Sequence, residues 1–186
     1  MQVLAGKYRG IQLQSSRSTK VRPTARRIRE ALFDILMWHI KASRFLDLCA
    51  GTGAIGIESL SRGAAHATFV ERSPKFCSFI RNNLIACKVR EDQARIVNKD
   101  VIHFMKTVAG TSQKWEVIFL DPPYGTNYDP MLDYIKEGHL FKRKKGILVM
   151  EHDINREMPD QIGILNRWRV VKAGESALSF YEKKVK

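Results

Sequence analysis

The sequence predicts an α/β fold in which a mostly parallel sheet carries helices on both faces. Three observations lead to this prediction. Short apolar runs alternate with segments of helical periodicity through the middle of the chain. One run, WEVIFLD, is apolar almost throughout, as expected for a strand buried on both faces. A glycine-rich turn, Gly51 to Gly56, lies between an apolar run and a helical segment.

The elements follow in order from residue 44. The predicted strands are RFLDLCAG, HATFVER, ARIVNKD, WEVIFLD and GILVMEHD, and the predicted helices are AIGIESLSRG, SPKFCSFIRNNLIAC, VIHFMKTVAG and PMLDYIKEGHL. Ser73 is suited to an N-cap, with Pro74 at the first helical position. Two alternating runs flank AGES in WRVVKAGESALSFYEKK, which predicts a C-terminal antiparallel hairpin at the sheet edge.

The N-terminal residues do not follow this alternation, so we divide the chain into a basic extension, 1–43, and a larger domain, 44–186. QVLAGKYRGIQLQ predicts a small hairpin that turns at YRG. ARRIREALFDILMWHI predicts a helix that Thr24 caps. Its apolar residues recur at helical spacing at Ile28, Leu32, Ile35 and Leu36.

Charge and composition limit the classes of binding partner and the cellular compartment that fit this sequence. The net charge is +13, and residues 45–141 contribute none of it because they carry 11 basic and 11 acidic residues. Basic ends around a neutral middle indicate a polyanionic partner such as nucleic acid. The alternative is that the basic ends only keep the protein in solution. The chain shows no apolar stretch of roughly 20 residues and no secretory signal. Three cysteines predict a reducing, cytoplasmic setting without disulfides, and the histidines show no metal-ligand spacing.

The glycine loop and the acids at strand ends predict a small-ligand site. LDLCAGTGAIGIES has the spacing G-x-G-x-x-G between a strand and a helix, which brings backbone close to a ligand. Asp47 before the glycines would repel a pyrophosphate and suits a ligand with a cationic end, such as S-adenosylmethionine. Glu71 and Asp100 end the next two strands, where they could hold ribose hydroxyls and an adenine amine. The alternative is that these acids are helix N-caps.

The stretch Asp121-Pro122-Pro123-Tyr124 ends the fourth strand. The prolines fix the backbone, so that a carbonyl and the Asp121 carboxylate form a pair of acceptors for one exocyclic amine. Tyr124 can stack on a flipped base. Holding both N–H groups favours attack on an activated methyl without a strong base. A simple strand-ending turn is the alternative.

These segments resemble a known family, the RsmD-type 16S ribosomal RNA guanine-N2 methyltransferases. The resemblance covers nearly the whole chain, through GKYRGIQLQ, VRPTARRIREALFDIL, FLDLCAGTGAIGIESLSRGA, FVE, DPPY and KAGESALSFYEK. The segment SSRSTK departs from the family because it lacks the proline and glycine that often precede the Arg-Pro-Thr signature.

The resemblance implies a Rossmann-like methyltransferase with a seven-stranded sheet, S-adenosylmethionine as cofactor and small-subunit ribosomal RNA as partner. We also expect an assembled or assembling small-subunit particle as the substrate, no membrane association and a monomeric protein. It implies cofactor binding by Asp47, Gly51, Gly53, Glu71 and Asp100, and catalysis by Asp121 to Tyr124. Arg22, Pro23 and Thr24 match the N-terminal signature. The basic residues that we expect to bind RNA are Arg9, Arg22, Arg26, Arg27 and Arg29.

Other functions stay open on the sequence alone. A DNA adenine-N6 methyltransferase can use the same DPPY chemistry, although 186 residues leave little room for a sequence-reading domain. A non-enzymatic RNA-binding protein could retain the fold, and a nucleotide-dependent oxidoreductase could use the glycine loop. Glu151, His152 and the basic run from Lys142 to Lys145 are further candidates for the site or for RNA contact.

Overall fold

A single eight-stranded sheet organises the protein. The computed structural model describes residues 1–15, 23–123, 125–142 and 146–183, and of residues 23–25 the backbone alone. The strands are β1 (Arg44–Leu48), β2 (His66–Glu71), β3 (Ala94–Asn98), β4 (Val117–Leu120), β5 (Ile147–Asp153), β6 (Gln161–Ile162), β7 (Leu165–Ala173) and β8 (Ser176–Lys183). Their order in the sheet is β3-β2-β1-β4-β5-β8-β7-β6. The first five strands in this order are parallel, and β8, β7 and β6 continue the sheet antiparallel.

The prediction of seven strands is wrong by one. The additional strand, β6, has only two residues and pairs with β7 across a turn at Gly163. A two-residue strand is too short to show alternation, so the sequence pattern could not reveal it. The predicted C-terminal hairpin is confirmed as β7 and β8, with β8 inserted beside β5 and β6 at the outer edge.

Six helices accompany the sheet in the described residues: α1 (Pro23–Ile35), α2 (Met37–Ile40), α3 (Ala54–Ser61), α4 (Pro74–Ala86), α5 (Val101–Val108) and α6 (Asp129–Ile135). The Ser73 hydroxyl accepts a hydrogen bond from the Phe76 N–H at the start of α4, and Pro74 follows it, as predicted. The predicted N-terminal helix is divided at Leu36 into α1 and α2. It begins at Pro23, so Thr24 lies inside the helix and is not its N-cap.

Each face of the sheet has its own hydrophobic core. One core contains Phe45, Phe69 and Phe119 and is covered by the N-terminal segment, α1, α3 and α4; we call this side the α1 face. The opposite core contains Trp115 and Ile118 and is covered by α5 and α6. Side chains alternate between the faces along each strand, so neighbouring residues belong to different cores. None of the described helices is long and apolar enough to cross a membrane.

The N-terminal segment packs onto the α1 face through hydrogen bonds to α3. Its predicted hairpin is reduced to one antiparallel bridge between Gln2 and Gln12. The fully buried Glu58 carboxylate accepts hydrogen bonds from the Leu4 and Ala5 N–H groups, at 2.8 and 3.0 Å. Residues from 1–43 and from 44–186 therefore contribute to the same core.

Candidate functional site

Four carboxylates share the α1 face near the carboxyl ends of the parallel strands. Each stands two positions after a buried apolar residue of the α1-face core, and the two-residue repeat of a strand keeps both on one side. The pairs are Phe45 and Asp47, Phe69 and Glu71, Phe119 and Asp121, and Val149 and Glu151. Ligands of open α/β sheets bind at this edge, so the acids mark the candidate site.

Two adjoining cavities open at these acids. The first, of about 580 Å³, is lined by Gly51, Glu71, Asp100, Asp121 and Pro122, among others. The second, of about 380 Å³, lies between α1 and the strand ends and includes Arg26, Ile28 and Leu32 in its lining. Both cavities are lined by Cys49, Gly51, Phe76, Asp121 and Glu151. Asp121 and Glu151 therefore stand where the two cavities meet.

The glycine loop uses its glycines for two purposes. Gly51 has a φ of +54° and lines both cavities, and a Cβ there would meet no atom within 4 Å. Its backbone is therefore open to a ligand. At Gly56 a Cβ would lie 2.3 Å from the Phe69 ring, so this glycine permits close packing of α3 on β2.

Asp47 lies beneath the glycine loop and lines neither cavity. Its Oδ2 accepts a hydrogen bond of 2.9 Å from the Gly56 N–H at the start of α3. Burial raises the pKa of Asp47 to about 7, opposed by the Gly56 hydrogen bond, and the Glu71 carboxylate raises it further. The structure thus differs from the expectation of direct ligand contact: Asp47 holds the loop from below.

Glu71 connects the glycine loop to the start of α4. Its Oε2 accepts from the Gly51 N–H at 2.8 Å, and its Oε1 accepts from the Ser73 N–H at 2.7 Å. The side chain is buried but lines the first cavity. It is consequently both a support of the loop and a candidate acceptor for ligand hydroxyls.

Asp100 is an N-cap in the structure, and its binding of a ligand stays a prediction. It is the N-cap of α5, where its Oδ1 accepts hydrogen bonds from the Ile102 and His103 N–H groups. It also lines the first cavity and is exposed. An N-cap carboxylate at a strand end can contact a ligand with its remaining oxygen.

The two prolines that follow β4 differ in burial. Pro122 is buried, and the Pro123 carbonyl accepts a hydrogen bond of 3.1 Å from the Thr126 N–H and another from the Thr126 hydroxyl. Both lone pairs of the Pro123 carbonyl are thereby used. Tyr124, Arg22 and residues 143–145 lie outside the described residues.

Asp121 and Glu151 repel each other. Enclosure by protein atoms raises the pKa of Asp121 well above its ordinary value, and the carboxylates of Glu151 and Asp47 raise it further. The Asp121 side chain is crowded by protein but still open to solvent through the cleft. Burial also raises the pKa of Glu151, which a hydrogen bond with Ser176 opposes. This edge of the site therefore favours groups that donate hydrogen bonds.

Sequence reasoning missed three residues that hold the site together. The Tyr128 hydroxyl donates to the Glu151 carbonyl at 3.1 Å, and the Arg156 guanidinium lies 4.0 Å from the centre of the Tyr128 ring. The Asn83 side chain donates to the carbonyls of Thr52 and Gln14 and accepts from the Gln14 N–H. The one sequence signal that could have identified Asn83 is its helical spacing from Phe76 and Ile80, which places it on the apolar face of the predicted helix.

Cys49 has a φ of +64° next to the glycine loop, and burial with nearby acids raises the pKa of its thiol to about 12. It is therefore a thiol that packs and not a nucleophilic thiolate. The described part of the chain contains no group of three or more side chains that could hold a metal ion.

The arginines expected to bind RNA do not share one environment. Arg9, Arg26 and Arg27 are exposed. Arg29 is 5% exposed, donates a hydrogen bond of 2.8 Å to the Gln2 carbonyl and lines the second cavity. Arg29, which we expected to bind RNA, instead points inward and joins α1 to the N-terminal segment.

The sheet order, the glycine loop and the acids at the strand ends define a Rossmann-like methyltransferase. The family model described as Conserved hypothetical protein 95 matches residues 1–182, and the chain belongs to this family. The resemblance to RsmD-type methyltransferases is thereby confirmed.

Individual relatives agree with the family assignment. The chain is 30% identical to YlbH of Bacillus subtilis over 184 residues, which cover 99% of this chain and 100% of that protein. It is 28% identical to Ribosomal RNA small subunit methyltransferase D of Escherichia coli K12 over 183 residues, which cover 98% and 90% of the two chains. The solved structure of yhhF from Escherichia coli superposes with a TM-score of 0.85 at 27% identity, covering 100% and 99% of the chains.

Proposed function

We propose that this chain transfers a methyl group from S-adenosylmethionine to the exocyclic N2 amine of a guanine in small-subunit ribosomal RNA. The observation that carries the proposal is the position of Asp121, where a cofactor-sized cavity meets a second cavity beneath a basic helix. The relative named Ribosomal RNA small subunit methyltransferase D supports the choice of RNA. We further infer that the protein acts in the cytoplasm, as a monomer, on an assembled or assembling small-subunit particle.

The first cavity suits S-adenosylmethionine. Open space over the Gly51 backbone leaves room for the ligand, and Glu71 and Asp100 provide acceptors for ribose hydroxyls and an adenine amine. Asp47 contributes indirectly by holding Gly56. When bound, S-adenosylmethionine supplies a methyl group on a cationic sulfur, so that the N–C bond forms as the C–S bond breaks and sulfur keeps the electron pair.

Asp121 and the Pro122 carbonyl would hold the two N–H groups of the target amine. Pro122 is the better carbonyl for this role because the Pro123 carbonyl already accepts two hydrogen bonds from Thr126. Holding both N–H groups turns the nitrogen lone pair towards the methyl group, and positioning of this kind supplies much of the rate. The nitrogen becomes cationic as it gains the methyl group, and Asp121 then accepts its proton. Tyr124 would stack on the base.

Charge supports RNA as the substrate. Arg9, Arg26 and Arg27 are exposed in the N-terminal region, and Arg26 also lines the second cavity. Basic side chains around a cavity attract the phosphates that flank a flipped nucleotide. We therefore assign RNA binding to 1–43 and methyl transfer to 44–186.

The test is methylation with labelled S-adenosylmethionine, comparing small-subunit particles, naked small-subunit RNA and duplex DNA. We expect the label in the particles or their RNA, and mass spectrometry of nucleosides should identify N2-methylguanosine. Mapping the modified nucleotide in RNA from cells with and without the protein gives its position. Label in duplex DNA alone would overturn the proposal in favour of a DNA adenine-N6 methyltransferase.

A further inference from the structure

We propose that Glu151 reads the base: its carboxylate accepts the N1–H of the target guanine while Asp121 holds the N2 amine, which excludes adenine. This inference rests on the proposed function and adds the residue that selects guanine.

The sheet register makes Glu151 the neighbour of Asp121. Leu120 on β4 pairs with Met150 on β5 in parallel register. Asp121 directly follows Leu120 in the sequence, and Glu151 directly follows Met150. Parallel strands lie about 4.8 Å apart, so these acids stand side by side. Both follow the alternation that places Phe119 and Val149 on the α1 face. The two carboxylates therefore line the same part of the cleft.

Glu151 is held in this place by its surroundings. The Tyr128 hydroxyl donates to its backbone carbonyl at 3.1 Å, and its side chain forms a hydrogen bond with Ser176. Its strand pairs on one side with β4 and on the other with β8, where Leu178 is its register partner. A carboxylate that is hydrogen-bonded to Ser176 and lies on a strand paired on both sides can discriminate between ligands by geometry.

The second cavity has the composition of a site for a planar base. Its walls include Ile28 and Leu32 from α1, Ile55 from α3 and Leu178 from β8. The carboxylates that line this cavity belong to Asp121 and Glu151, which also line the first cavity. Apolar walls with a few convergent polar groups are typical of sites that orient a flat ligand by one edge.

The hydrogen-bonding edge of guanine matches this pair of acceptors. Guanine presents N1–H and the N2 amine side by side, and both groups donate. Adenine presents an amine beside N1, which is an acceptor and would meet the Glu151 carboxylate without a proton between them. An unpaired acceptor in an enclosed site is costly, so the second carboxylate rejects adenine more strongly than it attracts guanine. Two donors would also relieve the repulsion between Asp121 and Glu151.

The test exchanges functional groups on both sides of the contact. Small-subunit RNA carrying guanine, 2-aminopurine or 6-thioguanine at the mapped position is assembled into particles, and kcat/KM for methylation is measured. 2-Aminopurine keeps the amine but presents an acceptor at N1, whereas 6-thioguanine keeps N1–H and changes only the atom at position 6. For the native chain we expect guanine to exceed 2-aminopurine by roughly 10- to 100-fold, as for loss of a charged hydrogen bond. We expect 6-thioguanine to stay close to guanine.

Glu151→Gln should reduce this preference, because the amide can donate to N1 of 2-aminopurine. We expect the ratio of kcat/KM for guanine to that for 2-aminopurine to fall at least about tenfold. Asp153→Asn is the matched control: it removes the same charge on the same strand, and Asp153 lines neither cavity. It should keep the native ratio.

The outcomes separate this inference from the proposed function. Methylation of guanine by the native chain with equal turnover of 2-aminopurine would overturn the role of Glu151 and leave the proposed function standing. If Glu151→Gln kept the native ratio of guanine to 2-aminopurine methylation, the role of Glu151 would also be overturned and the proposed function would stand. If the native chain methylates no guanine in small-subunit RNA, both proposals fall. Because the comparison of bases uses the native chain, it decides the matter even if the variant does not fold.

Discussion

At the scale of single residues, the acids at the strand ends divide into supports and acceptors. Asp47 and Glu71 accept hydrogen bonds from the backbone of the glycine loop. Asp121 and Glu151 face the junction of the cavities. The sequence placed these acids at or near the ends of predicted strands, but their different environments assign them different roles. Two predictions follow from that division.

Asp121→Ala should reduce methyl transfer by roughly 10²- to 10⁴-fold, because the variant loses an amine acceptor and a proton acceptor. Asp121→Asn, which keeps the shape, should also be impaired because its amide cannot take the proton. The measurement is single-turnover methylation together with calorimetric binding of S-adenosylmethionine. Binding should be largely retained. Equal loss of binding and transfer would mean that Asp121 is a cofactor or structural residue.

Asp47→Asn should stabilise the protein at alkaline pH. The pKa of Asp47 is raised to about 7 in the folded chain, so the folded state binds its proton more tightly than the unfolded state. The stabilisation from this proton is fully present below the pKa of Asp47 in the unfolded chain, and it is lost as the pH rises through 7. A shift of this size corresponds to about 4 kcal/mol, which we take as an upper limit.

Denaturant unfolding of native and Asp47→Asn chains from pH 4 to pH 8 measures the effect. Asparagine still offers an oxygen to the Gly56 N–H, so the two chains should be similar near pH 4. Above pH 7 the variant should be the more stable. A difference in stability that does not change with pH would contradict the assignment, because other titrating groups cancel in the comparison.

At the scale of elements, the loops around the site are joined by side chains from helices that lie far away in sequence. Asn83 of α4 connects the glycine loop to Gln14 of the N-terminal segment. Glu58 of α3 connects that segment to the sheet through α3. Each interaction gives a hydrogen-bond partner to a backbone group at a partly buried contact.

Asn83→Ala should destabilise the protein by about 1–3 kcal/mol, because it removes a buried side chain and its three hydrogen bonds to the backbone of Gln14 and Thr52. It should also weaken S-adenosylmethionine binding, since Thr52 is part of the glycine loop. Asn82→Ala is the control: Asn82 is exposed and its amide donates to the exposed Gln14 side chain. That substitution should change stability by less than about 0.5 kcal/mol. Equal effects of the two substitutions would show that Asn83 does not connect the glycine loop to the N-terminal segment.

At the scale of the whole molecule, charge is separated from the catalytic centre. The net charge of +13 is carried by the ends of the chain. Asp47, Glu71 and Asp121 lie in the neutral middle of the sequence, residues 45–141, whereas Glu151 lies in the basic C-terminal part. The fold brings α1, with Arg26 and Arg27 exposed, next to the second cavity. This arrangement fits a protein that holds RNA backbone at one surface and a flipped base beneath it.

Replacing Arg26 and Arg27 by glutamine should weaken RNA binding and reduce its dependence on salt. Each lost phosphate contact should lower the slope of log K against log salt by about 0.7 to 0.9. Binding to small-subunit RNA is measured at several salt concentrations. Arg90→Gln is the control, because Arg90 is exposed next to the 3₁₀ turn Glu91–Gln93 and pairs with Asp92. An unchanged slope in the double variant would refute the phosphate contacts.

Local pattern was sufficient for most of the architecture. Five parallel strands, their helices and the C-terminal hairpin follow from apolar periodicity, and Ser73 and Pro74 begin α4 as their side-chain chemistry predicts. The apolar pattern did not predict β6, which has two residues. It also misplaced the start of α1, which begins at Pro23 and not after Thr24. Short elements and helix ends depend on partners that periodicity does not describe.

By itself, then, the sequence determined the fold class, the glycine loop and the order of acids along the chain, because these depend on residues that are neighbours in sequence. Only the tertiary structure decided which acids meet. The register of β4 and β5 makes Asp121 and Glu151 neighbours although 30 positions separate them in the sequence. The packing of the N-terminal segment likewise buries Arg29, which a helical pattern alone leaves in solvent. Both outcomes arise from contacts between distant segments, which no local pattern contains.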